Sequence, residues 1–441
     1  MKTKILSFAL LLLAAVLPLK SQACETLNLD EALRLAIGNN KTIKQSQQDK
    51  DAAWARVVQA RGGFLPDISA AGVYTFTHQV PLIPIPAGSF GPNFPPSALS
   101  ARIDTTFEYN AGFNGTWTLF AGGMLYHNYA AAKKMYESAE EQEQAEKQEV
   151  VYQVKKAYYN LLLASESVDV LKHSIDLASE HYRVTKDRYS AGEASELDML
   201  NASVSLSNLQ PQFIGAQNNV KIAGLALKNI LGVEFTSNVC ANPDVVLPEF
   251  SKDLGYYEDR AKENNYQLKI INKQLSALSD YKKLSIGRFS PTLALAGNYN
   301  WLSNEFTGTW QGIYQAELVL SIPLFNGGTD IGRFKEASSN YYKVVFLKSE
   351  TMDNIKISTE AAYSNATVAK NEITAAQDAL NTAEKAESIA QEQYRIGLAT
   401  NLDVLNANLG LKEAQMNYIK AKYNYLLALA ELERIMGTAS Y

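Results

Sequence analysis

The residues that could do chemistry are scattered along this chain, with one exception. The run Gly-x-x-x-x-Leu-Asp-x-Leu-Asn-Ala is written twice, at Gly192 to Ala202 and at Gly397 to Ala407. Ser195 stands three residues before Asp198, and Thr400 three before Asp403. A hydroxyl residue followed three later by a carboxylate is a helix-start pattern, in which each side chain satisfies a backbone N–H of the other. A cap of this kind is typically worth ~1 kcal/mol. The carboxylate also sits well against the positive end of the helix. Asp198 and Asp403 are therefore expected first as caps. Gly192 and Gly397, just ahead, suit the left-handed residue that ends a preceding helix.

Nothing else assembles into a reactive group. His78, His127, His173 and His181 lie far apart. His173 and His181 fall near one helix face but have no third ligand nearby, so helix-surface histidines are expected rather than a zinc site. There is no P-loop, dinucleotide glycine motif or serine elbow. These residues predict no enzyme, no cofactor and no metal. The two cysteines, Cys24 and Cys240, could form one bond in an oxidising compartment. Cys24 could instead carry lipid, although Ser21 and Gln22 match a lipobox poorly.

The first residues read as a secretory signal over 1–23. Lys2 and Lys4 precede an apolar run from Ile5 to Leu19, and cleavage is expected after Ala23. Removing Lys2, Lys4 and Lys20 takes the formal charge from -5 to -8. That disfavours a nucleic-acid partner, which calls for a basic surface. No later stretch approaches the ~18 apolar residues a spanning helix needs. An exported chain of this kind is either soluble or a membrane β-barrel.

The elements that must position the two aspartates are also written twice. Leu119-Phe120-Ala121-Gly122-Gly123 recurs as Leu324-Phe325-Asn326-Gly327-Gly328, an offset of 205. The same offset relates Asp198 to Asp403 and Leu231-Gly232 to Met436-Gly437. Upstream, Phe64-Leu65-Pro66 matches Phe289-Ser290-Pro291, and Asn39-Asn40 matches Asn264-Asn265, at an offset of 225. The 20 extra residues of the first half fall in a stretch holding Pro81, Pro84, Pro86, Pro92, Pro95 and Pro96, expected as a loop. An internal duplication follows. It gives a first repeat over 24–232, a linker over 233–253 with Pro243 and Pro248, and a second repeat over 254–441.

Each repeat reads as helix, two strands, a very long helix, a turn and a returning helix. One strand alternates Phe107, Tyr109, Ala111, Phe113, Gly115, Trp117 and Leu119 with polar or small residues. Its counterpart places Trp310, Gly312, Tyr314, Ala316, Leu318, Leu320 and Ile322 on one face. The partner strands are expected near Ile68 to Thr77 and Leu293 to Leu302. One apolar and one polar face fits a barrel with lipid outside and water inside, and fits a soluble sheet equally. The helices decide. From Ala121 to Tyr189 there is no proline and no glycine after Gly123, and Thr329 to Tyr394 holds only Gly332. About 65 residues make a helix of roughly 100 Å. Shorter helices are expected at Leu29 to Gly62, Leu254 to Gly287, Leu197 to Leu231 and Leu402 to Met436, and two of them end to end match one long one. Leu402, Leu405, Leu409, Met416, Ile419, Tyr423, Leu426 and Ala430 form a coiled-coil seam. Glu140, Glu141, Glu143, Glu146 and Glu149 read as a solvated face. Four strands cannot close a barrel, and open edges are not tolerated in lipid, so assembly must supply closure.

This duplicated plan resembles the TolC family of outer-membrane efflux proteins over nearly the whole mature chain. The resemblance rests on the doubled Gly192–Ala202 and Gly397–Ala407 runs, the Phe-x-Pro lead into each strand pair and the Leu-Phe-x-Gly-Gly exit. It implies a mixed fold: a trimeric 12-stranded transmembrane β-barrel, four strands per chain, continued by a long α-helical periplasmic barrel, with linker and termini in an equatorial belt. It implies a passive outer-membrane exit duct of a tripartite efflux pump or type I secretion system. The implied partners are outer-membrane lipid, a periplasmic adaptor (membrane fusion) protein and an inner-membrane transporter. It implies a periplasmic gate at Asp198 and Asp403, with Asn201 and Asn406 one turn further. The turns at Gly192, Glu193, Gly397 and Leu398 would contact the adaptor. Where the family carries a basic latch residue after the turn glycine, this chain has Ala194 and Ala399, so Arg188 or Arg395 is expected to substitute. The competing readings are a non-pore periplasmic coiled-coil structural or adhesive protein, and a nutrient-uptake porin that would leave the long helices without purpose.

Overall fold

The computed structural model describes residues 25–77, 82–86, 89, 91–92, 99–102, 107–235 and 239–438. Residues 1–23, expected as a secretory signal, and Cys24 and His78 lie outside the described residues. In chain order the elements are β1 (Glu25–Leu27), α1 (Leu29–Asn39), α2 (Lys41–Gly62), β2 (Asp67–Phe76), β3 (Leu82–Ile85), β4 (Leu99–Arg102), β5 (Phe107–Ala121), α3 (Met124–Ser190) and α4 (Glu196–Leu231). Then follow β6 (Val239–Ala241), α5 (Leu254–Asn264), α6 (Tyr266–Gly287), β7 (Thr292–Ser303), β8 (Gln311–Ser321), α7 (Thr329–Arg395) and α8 (Asn401–Met436).

Helix lengths repeat between the halves: 67 residues in α3 and α7, 36 in α4 and α8. At 1.5 Å per residue the long helices reach about 100 Å. The first helix of each half, expected as one piece, breaks in two. Asn40 and Asn265 are the break points. Asn40 Oδ1 accepts from the N–H of Thr42 at 2.8 Å, starting α2, while its Nδ2 donates to the Ile230 carbonyl at 2.8 Å at the end of α4. Asn265 does the same, to Gln267 N at 2.9 Å and Ile435 O at 2.9 Å. One amide thus serves two helix ends whose backbone groups would otherwise be unsatisfied. It also joins the return helix of 36 residues end to end with one of 22, a stacked pair set against each 67-residue helix. Gly232 closes the joint. It is left-handed, with φ +67°, and a Cβ there would fall 2.7 Å from the Asn39 carbonyl.

Four of the strands form an antiparallel sheet, ordered β2-β5-β7-β8. Its register sorts the alternation. Tyr109 pairs with Tyr74 and Ser303, Phe113 with Ala70 and Tyr299, Tyr299 with Tyr314, and Leu295 with Leu318. On the other face Asn114 pairs with Ser69 and Asn298, and Asn298 donates to Gln315 Oε1 at 3.1 Å. A register shift between Thr118 and Phe120 corrects the simple alternation: Phe120, not Leu119, stands opposite Leu293. β2 and β8 are the sheet's edges, and every residue of both is exposed. The proline-dense stretch is not all loop. β3 and β4 form a two-stranded ribbon with Pro84 opposite Ser100. Either strand of such a ribbon has an open edge, where proline's missing N–H costs nothing.

The main core sits at mid-helix. Leu33, Ile43, Val151, Tyr158, Leu162, Leu227, Leu231 and Tyr423 pack together there, and Phe250, Tyr257, Leu268, Tyr425 and Leu432 form a second cluster. The segment between the halves crosses this level. Tyr425 Oη donates to Pro248 O at 2.6 Å, and Lys370 Nζ to Phe250 O at 2.9 Å. The seam on α8 is only partly buried: Ile419, Tyr423, Leu426 and Ala430 are covered, while Leu402 and Leu409 are exposed. Glu143 corrects the expectation of a uniformly solvated acidic face. It is buried between Lys50 at 2.6 Å and Lys147 at 2.8 Å, tying α2 to α3, and these two ammonium groups hold its carboxyl low against the opposing effect of burial.

Candidate functional site

The turns α3–α4 and α7–α8 lie at the end of the long helices away from the sheet. Both turn glycines are left-handed as expected, with φ +75° at Gly192 and +81° at Gly397. Both caps are formed. Asp198 N donates to Ser195 Oγ at 3.1 Å, and Asp198 Oδ2 accepts from Ser195 N at 3.3 Å and Ser195 Oγ at 2.6 Å. Asp403 repeats the pattern on Thr400, with 3.2, 2.8 and 2.6 Å. These bonds, the hydroxyl bond foremost, hold both carboxyls below their ordinary range. Both aspartates therefore stay ionised and already spend one oxygen, Oδ2, on the cap.

A second set of side chains, not anticipated from the sequence, joins the two hairpins. His181 on α3 is buried, correcting its expected surface position, and its Nε2 lies 2.7 Å from Asn401 Oδ1. Asn401 Nδ2 in turn donates to the Asp198 carbonyl at 3.2 Å. One turn beyond His181, Thr185 Oγ1 meets Tyr394 Oη at 3.1 Å, and the His181 and Tyr394 rings sit 5.1 Å apart. Burial lowers the His181 pKa, and the Asn401 bond opposes the shift only in part. The imidazole is thus a neutral bridge. Its signal in the sequence was weak: Tyr394 repeats Tyr189 three residues before the turn glycine, but nothing marked His181 as facing it.

The two arginines separate clearly. Arg188 Nη1 donates to the Tyr394 carbonyl at 2.6 Å, its guanidinium carbon lies 4.9 Å from the Tyr394 ring centre, and its Nε is 3.6 Å from Glu193. It spans the hairpins. Arg395 pairs with Glu392 on its own helix at 2.9 Å. Asn201 and Asn406 are exposed and line one groove of about 510 Å³ between α4 and α8, together with Leu402, Leu405, Leu409 and Lys412. The structure therefore brings Asp198, Asn201, Asp403, Asn406 and Arg188 to one end of the molecule. His127, by contrast, sits at the sheet end, 3.0 Å from Asp280. Among the described residues no group of three potential metal ligands occurs. Nor is any helix among them long and apolar enough to cross a membrane.

With this geometry in hand, comparison with known proteins finds a match to the family described as outer membrane efflux protein, over residues 32–233 and 258–438. The chain is similar to the outer membrane protein TolC of Vibrio cholerae, 22% identical over 338 residues, covering 75% of this chain and 72% of that one. It is similar to the proteases secretion protein PrtF of Dickeya chrysanthemi, 22% identical over 353 residues, covering 75% and 71%. Its fold matches the crystal structure of the CmeC outer membrane channel of Campylobacter jejuni, with TM-score 0.77 and 18% identity over 93% of this chain and 86% of that one.

Proposed function

The chain belongs to the outer membrane efflux protein family, and we propose on that premise that it is the passive exit duct of an efflux or secretion machine, placed in the outer membrane with a large periplasmic portion. The observation that carries this reading is the sheet. Four strands with an aromatic-aliphatic face and an amide-rich face end in two fully exposed edges, and the sheet runs directly into two 67-residue helices. An open edge is untenable in hydrocarbon, where every backbone group must be paired within the protein. Three copies joined β2 to β8 give a closed 12-stranded barrel, whose apolar face meets lipid and whose Asn114, Asn298 and Gln315 face water. The helices of three copies continue that wall into the periplasm. The matched helix lengths of the two halves support their origin in an internal duplication.

The closed end is the pair of turns. Asp198 and Asp403 from three chains place six carboxylates near one axis, with Asn201 and Asn406 behind them, so a hydrated pore there favours cations over anions. Arg188 acts as the latch within each chain, because it alone of the two candidate arginines reaches across the hairpins. Gly192, Glu193, Gly397 and Leu398 face outward from the tip and offer a docking surface to the helical hairpins of a periplasmic adaptor, which an inner-membrane transporter works through. The name of the Dickeya relative refers to protease secretion. The reading is tested by extracting outer membranes. A detergent-dependent trimer that conducts ions in planar bilayers supports it, and a salt-soluble monomer without conductance sinks it.

A further inference from the structure

We propose that His181 and Asn401 form a second latch across the tip, and that a proton taken up by His181 releases it. The tautomer follows from the partners. Asn401 Nδ2 donates to the Asp198 carbonyl at 3.2 Å, so its Oδ1 faces the ring, and the His181 Nε2–H donates to that oxygen at 2.7 Å. The contact draws on every helix of the tip. His181 belongs to α3, Asn401 is the first residue of α8, and Asp198 is in the first turn of α4. The Tyr394 ring of α7 lies 5.1 Å from the imidazole. Both His181 and Asn401 are buried, at 5% and 6% exposure. Parting the hairpins must therefore break this contact.

The site suits a neutral imidazole and makes no provision for a charged one. On α3 the charged group facing it is Arg188, whose guanidinium carbon lies 4.9 Å from the same Tyr394 ring. On α7 the titratable group is the Tyr394 phenol, which meets Thr185 Oγ1 at 3.1 Å. On α4 and α8 the charged groups are Asp198 and Asp403, whose carboxylates accept from Ser195 and Thr400 of their own caps. Burial is the larger influence on the imidazole and lowers its pKa, and the Asn401 bond opposes it, so among the described residues no carboxylate offsets a charge there. A proton on Nδ1 places an imidazolium in that buried site, on the same tyrosine as a guanidinium. Water reaches the ring when the hairpins part, so acid favours parted hairpins. Closure is complete above the ordinary pKa of 6.5 and is lost as pH falls from there through the lower closed-state value.

The effect on conductance rests on the turns being the closed end, as proposed above; release of the contact by acid does not. The two aspartates do not confuse the assignment. Their caps hold both carboxyls below the ordinary range, away from the window in which a histidine titrates. For one imidazole of ordinary pKa when open and unprotonated when closed, lowering the pH from about 7.5 to about 5 favours opening by up to about 30-fold.

The test uses the full-length protein extracted from outer membranes, as wild type and as His181→Gln, whose amide can donate to Asn401 Oδ1 in place of the imidazole. Hydrogen exchange at the imidazole C2 position, read by mass spectrometry, should give His181 a lower pKa than the exposed His173 of the same helix. Amide exchange over 189–201 and 394–406 should quicken in acid in the wild type and not in His181→Gln. In planar bilayers the wild-type open probability should rise several-fold over the same pH range, and the His181→Gln profile should be flat. A His181 pKa equal to that of His173, or a His181→Gln profile that follows the wild type in both exchange and conductance, would overturn the proposal. Acid-quickened exchange that His181→Gln abolishes, in a protein whose conductance ignores pH, would sink the reading of the turns as the gate and leave the proton-released contact standing.

Discussion

Replacing Arg188 by alanine separates a latch from a decoration. The guanidinium donates to the Tyr394 carbonyl at 2.6 Å, one residue from the end of α7, where the helix dipole also favours a cation. A hydrogen bond from a charged donor contributes about 1.5–3 kcal/mol. The face-on contact with the Tyr394 ring, at 4.9 Å, adds about 0.5 kcal/mol at a partly exposed site. The Glu193 contact, at 3.6 Å to a carboxylate 65% exposed, is discounted to nothing. A net loss of about 2 kcal/mol per chain shifts a two-state closed–open equilibrium about 30-fold. Single-channel recording in planar bilayers should show longer and more frequent openings in Arg188→Ala, an intermediate effect in Arg188→Lys, and little change in Arg395→Ala, whose contact stays on its own helix. A folded Arg188→Ala trimer with wild-type open probability, or opening by Arg395→Ala alone, would show that Arg188 does not hold the tip closed.

Asp198→Asn with Asp403→Asn keeps an oxygen for each cap but removes the charge, so cation selectivity should fall in bilayers with only a small loss of thermal stability, the part that came from the charge at the helix start. Ser195→Ala or Thr400→Ala should do the reverse, costing about 1 kcal/mol of hairpin stability with selectivity unchanged. His181 has its folded pKa lowered from 6.5, so the unfolded chain binds the extra proton. The resulting stability is complete above pH 6.5 and is lost as pH falls from 6.5 through the folded value. Thermal melts should show a loss over that window that His181→Gln abolishes. Asn40→Ala or Asn265→Ala strips two helix ends at once, and each should cost about 1–2 kcal/mol in denaturant melts.

The long helices were legible because their signal is local: nearly 70 residues without proline have few alternatives, and the chain stated it twice. The strand faces were legible for the same reason, up to the register shift beside Phe120, which depends on how β5 meets β7 rather than on β5 alone. The Asn-Asn pairs were visible at a fixed offset, yet their meaning was not. An asparagine that caps one helix and ends another requires knowing that α4 returns to Asn40 and α8 to Asn265. His181 and Glu143 were misplaced on the surface because α3 packs against helices on more than one side, and sequence periodicity does not say which polar residue faces one of them. The caps at Asp198 and Asp403 were read correctly from spacing, since a cap is a contact within four residues. Arg188 and Arg395 could not be ranked without Tyr394, 206 residues away, on the other side of the contact.

Closure of one barrel by several chains would put β2 of one copy beside β8 of the next, and a cross-link across that seam reads it out. In a Cys24→Ser, Cys240→Ser background, one cysteine is placed on β2 at Val73 and a second is scanned through β8 from Gln311 to Ser321. Oxidation in outer membranes should yield covalent dimer and trimer bands at β8 positions sharing a face with Val73, alternating with silent ones. No intermolecular band at any position, with the protein running as a single chain, would rule out a barrel shared between chains.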